Sequence, residues 1–176
     1  VSQEAIAIAG HLKLSRMIVM WDDNGISIDG PLSISDSVDQ VKRFQSAGWR
    51  SERVDGHNPD AIAAAISRAQ KSGKPSMIAC KTIIGFGSPK RAGTSKAHGE
   101  PLGAEEAAAT KAKLGITGEA FAIDPAALKA WRAAGSRGAS ARKEWEGRLA
   151  TLSAGKQAEF TRRMNGERTG KIGKAI

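Results

Sequence analysis

Three short apolar runs, residues 16–21, 49–54 and 75–82, alternate with segments of helical periodicity, and this alternation constrains the fold more than any other feature of the 176 residues. Each run is too short for a buried helix and reads as a strand covered on both faces. Between the first and second runs, Val38, Val41 and Phe44 share one helical face, with Ser35 or Asp36 as the expected cap and Gly48 just past the end. Between the second and third, Asn58-Pro59-Asp60 joins a capping side chain, a first-turn proline and an early acid. Ile62, Ile66 and Ala69 then form its buried stripe, and Gly73 closes it. A further helix is expected over residues 3–13, from the spacing of Ile6, Ala9 and Leu12. The pattern predicts an α/β fold, a partial parallel sheet flanked by helices, followed by a helical C-terminal segment.

Charge separates the two parts of the chain. Residues 1–124 carry 15 basic and 14 acidic side chains, whereas residues 125–176 carry 12 and 4, so +8 of the net charge of +9 belongs to the C-terminal third. Lys and Arg are interleaved there with Trp145, Leu149 and Leu152 at helical spacing, which reads as solvated helix faces, with breaks expected near Gly135, Gly138 and Gly155. A basic nucleic-acid-binding module is the alternative of another class. It would bind through residues 125–176 with a steep salt dependence, but the excess of charge carries no motif, and nucleic acid is not expected as a partner. No apolar run approaches the roughly 20 residues that span a bilayer, so no membrane is expected. The single Cys80 and the absence of a secretory signal point to a cytoplasmic location. The first residue is Val, as expected for a piece of something longer.

In open parallel sheets ligands bind beyond the C-terminal ends of strands, and two conspicuous loops fall there. The first, Asp22-Asp23-Asn24-Gly25-Ile26-Ser27-Ile28-Asp29-Gly30, is a turn by composition. It also gathers oxygen donors: the Asn24 amide oxygen and a nearby main-chain carbonyl suit Mg²⁺ that keeps phosphate and water in its shell. Carboxylates in the right place are too few to hold a bare metal, which favours a metal bound together with a phosphorylated cofactor. The second loop runs from Lys81-Thr82-Ile83-Ile84-Gly85-Phe86-Gly87 through Gly93-Thr94 to His98-Gly99-Glu100-Pro101-Leu102-Gly103. Gly85 and Gly87 permit close backbone approach, and His98 is placed to donate to a phosphate or a hydroxyl. The order is neither GxxxxGK[ST] nor GxGxxG. His11 and His57 belong to no recognisable pattern.

The two loops, in this order and spacing, closely resemble transketolase over residues 1 to about 115, in the domain that binds the diphosphate of thiamine diphosphate; Glu159-Phe160-Thr161-Arg162-Arg163-Met164 resembles the helical segment that follows. Deoxyxylulose-phosphate synthase and the 2-oxoacid dehydrogenases differ at Asn24–Gly30. The resemblance implies a partial diphosphate-binding domain at residues 1–118, its start missing, and a basic helical segment at 119–176 leading towards an absent pyrimidine-binding domain. It implies reversible transfer of a two-carbon ketol group from a ketose phosphate to an aldose phosphate, with thiamine diphosphate and Mg²⁺ as cofactors and Ca²⁺ able to substitute.

By the same resemblance, Asn24 ligates the metal and touches the diphosphate, and Ile26 offers its main-chain carbonyl to the metal. Ile28 and Ile84 are apolar walls near the cofactor, with packing as an equal alternative. His98 contacts both diphosphate and sugar, serving the reaction by hydrogen bonding and polarisation. Asp22, Asp23 and Asp29 are given a bracing or solvated role. The family's Gly-Asp-Gly metal segment, its upstream histidines and its pyrimidine domain are not in these residues, so the isolated chain is expected to be inactive, and the complete protein a homodimer. A dihydroxyacetone synthase-like or other transketolase-like thiamine enzyme is the close alternative. Sugar interconversion (the pentose phosphate pathway) and photosynthetic carbon fixation (the Calvin cycle) remain equally open.

Overall fold

A computed structural model describes residues 1–168 and divides the chain into two units, Val1–Thr117 and the part from Gly118 onward. The first unit holds β1 (Ile18–Asp23), β2 (Ile26–Ser27), β3 (Gly30–Pro31), β4 (Arg50–Asp55) and β5 (Ser76–Lys81), with α1 (Ser2–His11), α2 (Gln40–Ser46), α3 (Pro59–Gln70) and α4 (Ala104–Lys113). The main sheet has the order β1-β5-β4 and is wholly parallel, as the alternating pattern predicts.

Position in the sheet follows from side-chain chemistry. The middle strand, β5, has five successive buried residues, Ser76 to Cys80, because both of its faces are covered. Met77 and Ala79 meet Val19 and Trp21 of β1, Ile6 and Ala9 of α1, Val41 and Phe44 of α2, and Trp49. Ile78 and Cys80 point the other way, onto Ala65, Ile66 and Ala69 of α3. Full burial of a side chain the size of Met77 or Ile78 is worth about 1.5–3 kcal/mol. Trp49 fixes one layer to another: its indole N–H donates to the Ile6 carbonyl at 2.9 Å, and Phe44 meets its ring edge-on at 5.1 Å. The edge strand β4 is polar, and its Glu52 pairs with Arg50 at 3.0 Å and Arg68 at 2.6 Å.

Asn58 caps α3 as expected, accepting from Asp60 and Ala61 N–H at 3.0 and 3.1 Å. The cap of α2 differs from the expectation. Asp36 spends one carboxylate oxygen on the Val38 N–H at 2.8 Å, an Asx turn that keeps the chain out of the helix there. Asp39 caps α2 instead through the Lys42 N–H, leaving Val38 outside the helix and exposed. A small antiparallel hairpin, β2–β3, stands where the sequence reads only as a turn, with Ile28-Asp29 as its two-residue loop and Gly30, paired with Ser27, at φ 140°.

The second unit is helical: α5 (Pro125–Ser136), α6 (Ala139–Ala150) and α7 (Ala154–Met164). Asp124 caps α5, accepting from the Ala127 N–H at 2.9 Å. Breaks fall at Arg137-Gly138 and at Thr151–Ser153, near the expected glycines, while Gly135 and Gly155 themselves lie inside helices, where nothing approaches a potential Cβ and the local cost is borne. Gln157 donates to the Ala150 and Leu152 carbonyls and closes the turn between α6 and α7, and Trp145 lies 5.8 Å from Phe160 across that turn.

Candidate functional site

The strands of the main sheet end in register, with Asp23, Lys81 and Asp55 side by side. Each is followed at once by a loop, so three loops share one end of the sheet. Ion pairs weld the strand ends: the buried Asp23 carboxylate lies 3.6 Å from Arg53 Nε and 3.7 Å from Lys81 Nζ. The Thr82 N–H donates to the Asp23 carbonyl at 3.3 Å, and the Thr82 hydroxyl donates to the Asp22 carboxylate. Asp22 and Asp23 therefore brace the loops, the role read for them from the sequence.

The hairpin after β1 presents oxygen atoms. The Asn24 side-chain oxygen accepts from the Ile26 N–H at 3.0 Å, which orients the amide and leaves a second lone pair on the same atom. Ile26 and Pro31 face each other as a non-hydrogen-bonded pair, next to the hydrogen-bonded Gly25–Leu32 pair, so the Ile26 carbonyl points away from the partner strand. The neighbouring Gly25 carbonyl, by contrast, is taken by the Leu32 N–H at 2.8 Å. Asn24 and Ile26 thus carry hard oxygen donors on one short turn, both half-buried. Gly25 has φ 72°, and a Cβ there would lie 3.4 Å from the Lys81 ammonium, so a cation stands beside the turn. Among the described residues no group of three His, Cys, Asp or Glu side chains is placed to hold a metal. Two neutral oxygen donors beside a lysine fit a divalent cation that brings its own anionic oxygens, and do not fit a bare one.

Ile28 sits at the hairpin tip and is 72% exposed, packing against nothing that would explain it as core. Ile84 is half-buried in the loop after β5, where its carbonyl accepts from the Gly93 N–H at 2.9 Å. That bond folds the loop back on itself. Gly85, at φ 63°, lies so close to Ala97 that a Cβ would come within 2.9 Å of the alanine methyl. The residue next to Ala97 is His98, exposed and in extended conformation after a 3-10 turn at Ser95–Ala97. Ile84, Gly85 and His98 therefore belong to one folded loop, while Asn24, Ile26 and Ile28 belong to the adjacent hairpin, and the two are joined through Thr82.

Three contributions were not legible in the sequence. His57, in the loop after β4, accepts the Ile83 N–H on Nε2 at 2.9 Å and stacks on Phe86 at 4.2 Å. This bond requires an unprotonated Nε2. The buried Glu106 of α4 accepts from the Lys90 N–H at 2.7 Å and from the Ser88 hydroxyl; these bonds, Ser88 first, hold its carboxyl below the ordinary carboxylate range. Arg91 bonds to two carbonyls of the His98 loop. Only the Asp-Gly before His57 hints at a turn; the partners of His57 and Glu106 lie 16 to 26 residues away and those of Arg91 5 and 10, and none has a local signature. Cys80 is buried beneath the site, and burial, with Asp22 adding to it, pushes its thiol pKa up, away from thiolate chemistry.

A parallel sheet with a carboxylate-poor oxygen hairpin and a glycine-rich histidine loop at its C-terminal end is the architecture of a phosphorylated-cofactor site. Residues 1–169 match the family model described as transketolase, thiamine diphosphate binding domain, and the chain belongs to that family. A transketolase of Sinorhizobium medicae is 46% identical over 169 residues, covering 95% of this chain, and one of Cereibacter sphaeroides is 49% identical over 149, covering 85%. Those stretches are 24% and 23% of the relatives, so the chain spans about a quarter of their length. Among solved structures, a mutant transketolase from Pichia stipitis in complex with fructose-6-phosphate matches 99% of this chain and 27% of its own, at TM-score 0.82 and 35% identity. Transketolase from Leishmania mexicana matches 94% of this chain and 26% of its own, at TM-score 0.81 and 36% identity. The expected family and the expected α/β fold with a helical C-terminal segment both hold.

Proposed function

We propose that this chain is the diphosphate-holding part of a transketolase, and that its site takes thiamine diphosphate together with Mg²⁺, or Ca²⁺ in its place. The observation carrying this reading is the pair of oxygens with a lone pair to spare, Asn24 Oδ1 and the Ile26 carbonyl, on a turn where no group of three metal-ligating side chains among the described residues is placed to hold a metal. Those two atoms would hold the cation, and the cofactor's diphosphate would complete its shell. Residues 1–118 serve as the partial diphosphate-binding domain, and residues 119–176 as the basic segment leading towards the pyrimidine-binding domain.

When bound, thiamine diphosphate supplies the nucleophilic carbon that takes up a ketol unit from a ketose phosphate and passes it to an aldose phosphate. The protein's part is placement. The cation at Asn24 and Ile26 anchors the diphosphate end, and Lys81 beside Gly25 adds positive potential there. Ile28 and Ile84 give apolar walls that exclude water from the cofactor. His98 donates an imidazole N–H to the diphosphate and to a hydroxyl of the sugar, polarising the substrate without forming a bond to it. In the complete protein, a cytoplasmic homodimer in this reading, the pyrimidine end and the sugar phosphate are gripped by residues outside these 176, so the chain alone carries out no ketol transfer.

The test is a calorimetric titration of the 176-residue chain with thiamine diphosphate, with and without Mg²⁺, alongside Asn24→Ala. Weak saturable binding that requires Mg²⁺ is expected, with affinity reduced at least roughly tenfold by the substitution. Binding that ignores Mg²⁺, or that survives the substitution unchanged, would remove the metal assignment; ketol transfer by the chain alone would remove the claim of inactivity.

A further inference from the structure

The loop that carries His98 has little packing of its own. Gly99 and Gly103 adopt φ 74° and 81°, and nothing lies within 4 Å of where their Cβ atoms would be. The His98 N–H reaches only the Ser95 carbonyl, at 2.9 Å. A segment of this kind, exposed and twice interrupted by glycine, needs an external tie to hold one conformation.

Arg91 supplies that tie. Its guanidinium Nη1 donates to the Lys96 carbonyl at 3.2 Å and to the Pro101 carbonyl at 3.0 Å, and it lies 3.5 Å from the Glu100 carboxylate. The two carbonyls bracket His98, two residues before it and three after it. One planar group thereby closes the loop into a ring around the histidine. The pair with the largely exposed Glu100 is the minor partner; the carbonyls fix the geometry. Arg91 is itself anchored, since its N–H donates to Ser88 Oγ at 3.1 Å and Ser88 is bonded to buried Glu106, while its carbonyl accepts from the Thr94 hydroxyl at 2.8 Å. A chain of bonds thus runs from the first turn of α4 through Ser88 and Arg91 to both flanks of His98.

We propose that Arg91 is a positioning residue that sets the place of His98 through the two N–H groups of its guanidinium Nη1. Its importance for sugar and diphosphate binding rests on the reading of His98 given above. Lysine keeps the charge, but its stem is one atom shorter than the path to Nη1 and its ammonium is not held in a plane, so it falls short of the two carbonyls.

Amide exchange by NMR on the 176-residue chain tests it without any ligand. In Arg91→Lys, the Ala97 and His98 amides, bonded to Thr94 and Ser95, are expected to exchange about tenfold faster than in the unaltered chain, the loss of roughly one charged hydrogen bond. The His98 imidazole resonances are expected to shift, whereas the β5 amides keep their rates. Arg91→Ala should exceed the lysine variant if it folds. Unchanged exchange at Ala97 and His98 in Arg91→Lys would overturn the proposal. So would acceleration spread equally over β5, which would make Arg91 a residue of general stability. The same variant titrated with Mg²⁺ and thiamine diphosphate separates the two readings: failure of the unaltered chain to bind counts against the cofactor site, and the exchange result stands by itself.

Discussion

The two units of this chain are held by different forces. In Val1–Thr117, Met77, Ile78, Ala79, Ala65 and Ala69 are all but inaccessible, and residues from four elements meet across each sheet face. In the described residues from Gly118 onward no residue is buried. The helices there stand on local terms: the Asp124 cap, the Arg142–Glu146 pair at 2.7 Å, the Gln157 closure, and Glu159 between Arg162 and Arg163 at 2.8 and 2.7 Å. A long-range core and a set of local interactions respond differently to substitution, since burial terms run to several kcal/mol and helix-surface terms to a few tenths. The candidate residues Asn24, Ile26, Ile28, Ile84 and His98 are all in the unit that has a core, where loops can be held in place from strand ends.

The sharpest way to break the first unit is at Gly10. A Cβ there would sit 1.7 Å from the Ala47 carbonyl oxygen, so Gly10→Ala must drive α1 off the segment leading to Trp49. A loss of about 3 kcal/mol or more is expected, read from urea unfolding by the fluorescence of Trp49 and Trp21, both packed in the first unit's core, in a background with Trp131 and Trp145 replaced by Phe. A loss below 1 kcal/mol, on the order of an ordinary surface change, would mean that α1 is not docked as described. In the second unit the strongest single local term is a cap. Asp124→Ala should cost about 1 kcal/mol of α5 stability, seen as reduced far-UV circular dichroism with the Trp49 and Trp21 transition unmoved. A shift of that transition would show the units to be coupled.

The smallest effect concerns pH. Bonds from Arg162, then Arg163, lower the pKa of Glu159 to about 2. A carboxylate lowered in the folded state contributes stability that is fully present above its unfolded pKa and is lost as pH falls through the folded one. Helicity of α7 should therefore decline from about pH 4.5 towards pH 2, and Glu159→Gln should remove that dependence. Glu106 has the same sign on the other side of the comparison. Its protonation would slacken the Ser88 and Lys90 bonds, so acid should loosen the loop after β5 before the sheet itself.

Periodicity and caps made much of this architecture readable. Asn58-Pro59-Asp60 starts α3 because every atom of the cap lies within four residues. The start of α2 was misread for a related reason. Asp36 and Asp39 are both competent caps, and only the Asx turn at Val38 and the Asp36 bond to Gln40 decide between them. The β2–β3 hairpin was hidden because two paired residues per strand leave no alternation to detect. At the site, Asn24, Ile26 and His98 could be named from two loops with family-like order. His57, Arg91 and Glu106 could not, since their roles depend on Ile83, on the carbonyls of Lys96 and Pro101, and on Ser88 and Lys90.

The alternation of strands and helices, the family, and which loops carry oxygen donors and a histidine can all be read along the chain, because periodicity, turn chemistry and residue type are local properties. Long-range packing was needed to place β5 between β1 and β4, to set the hairpin register that turns the Ile26 carbonyl away from its partner strand, and to bring Arg91 to both flanks of His98. Each of these is a pairing between groups distant along the chain or brought together by a fold in it. Which donor meets which acceptor is set by how the packed core places the strand ends, and no stretch of sequence read alone contains that distance.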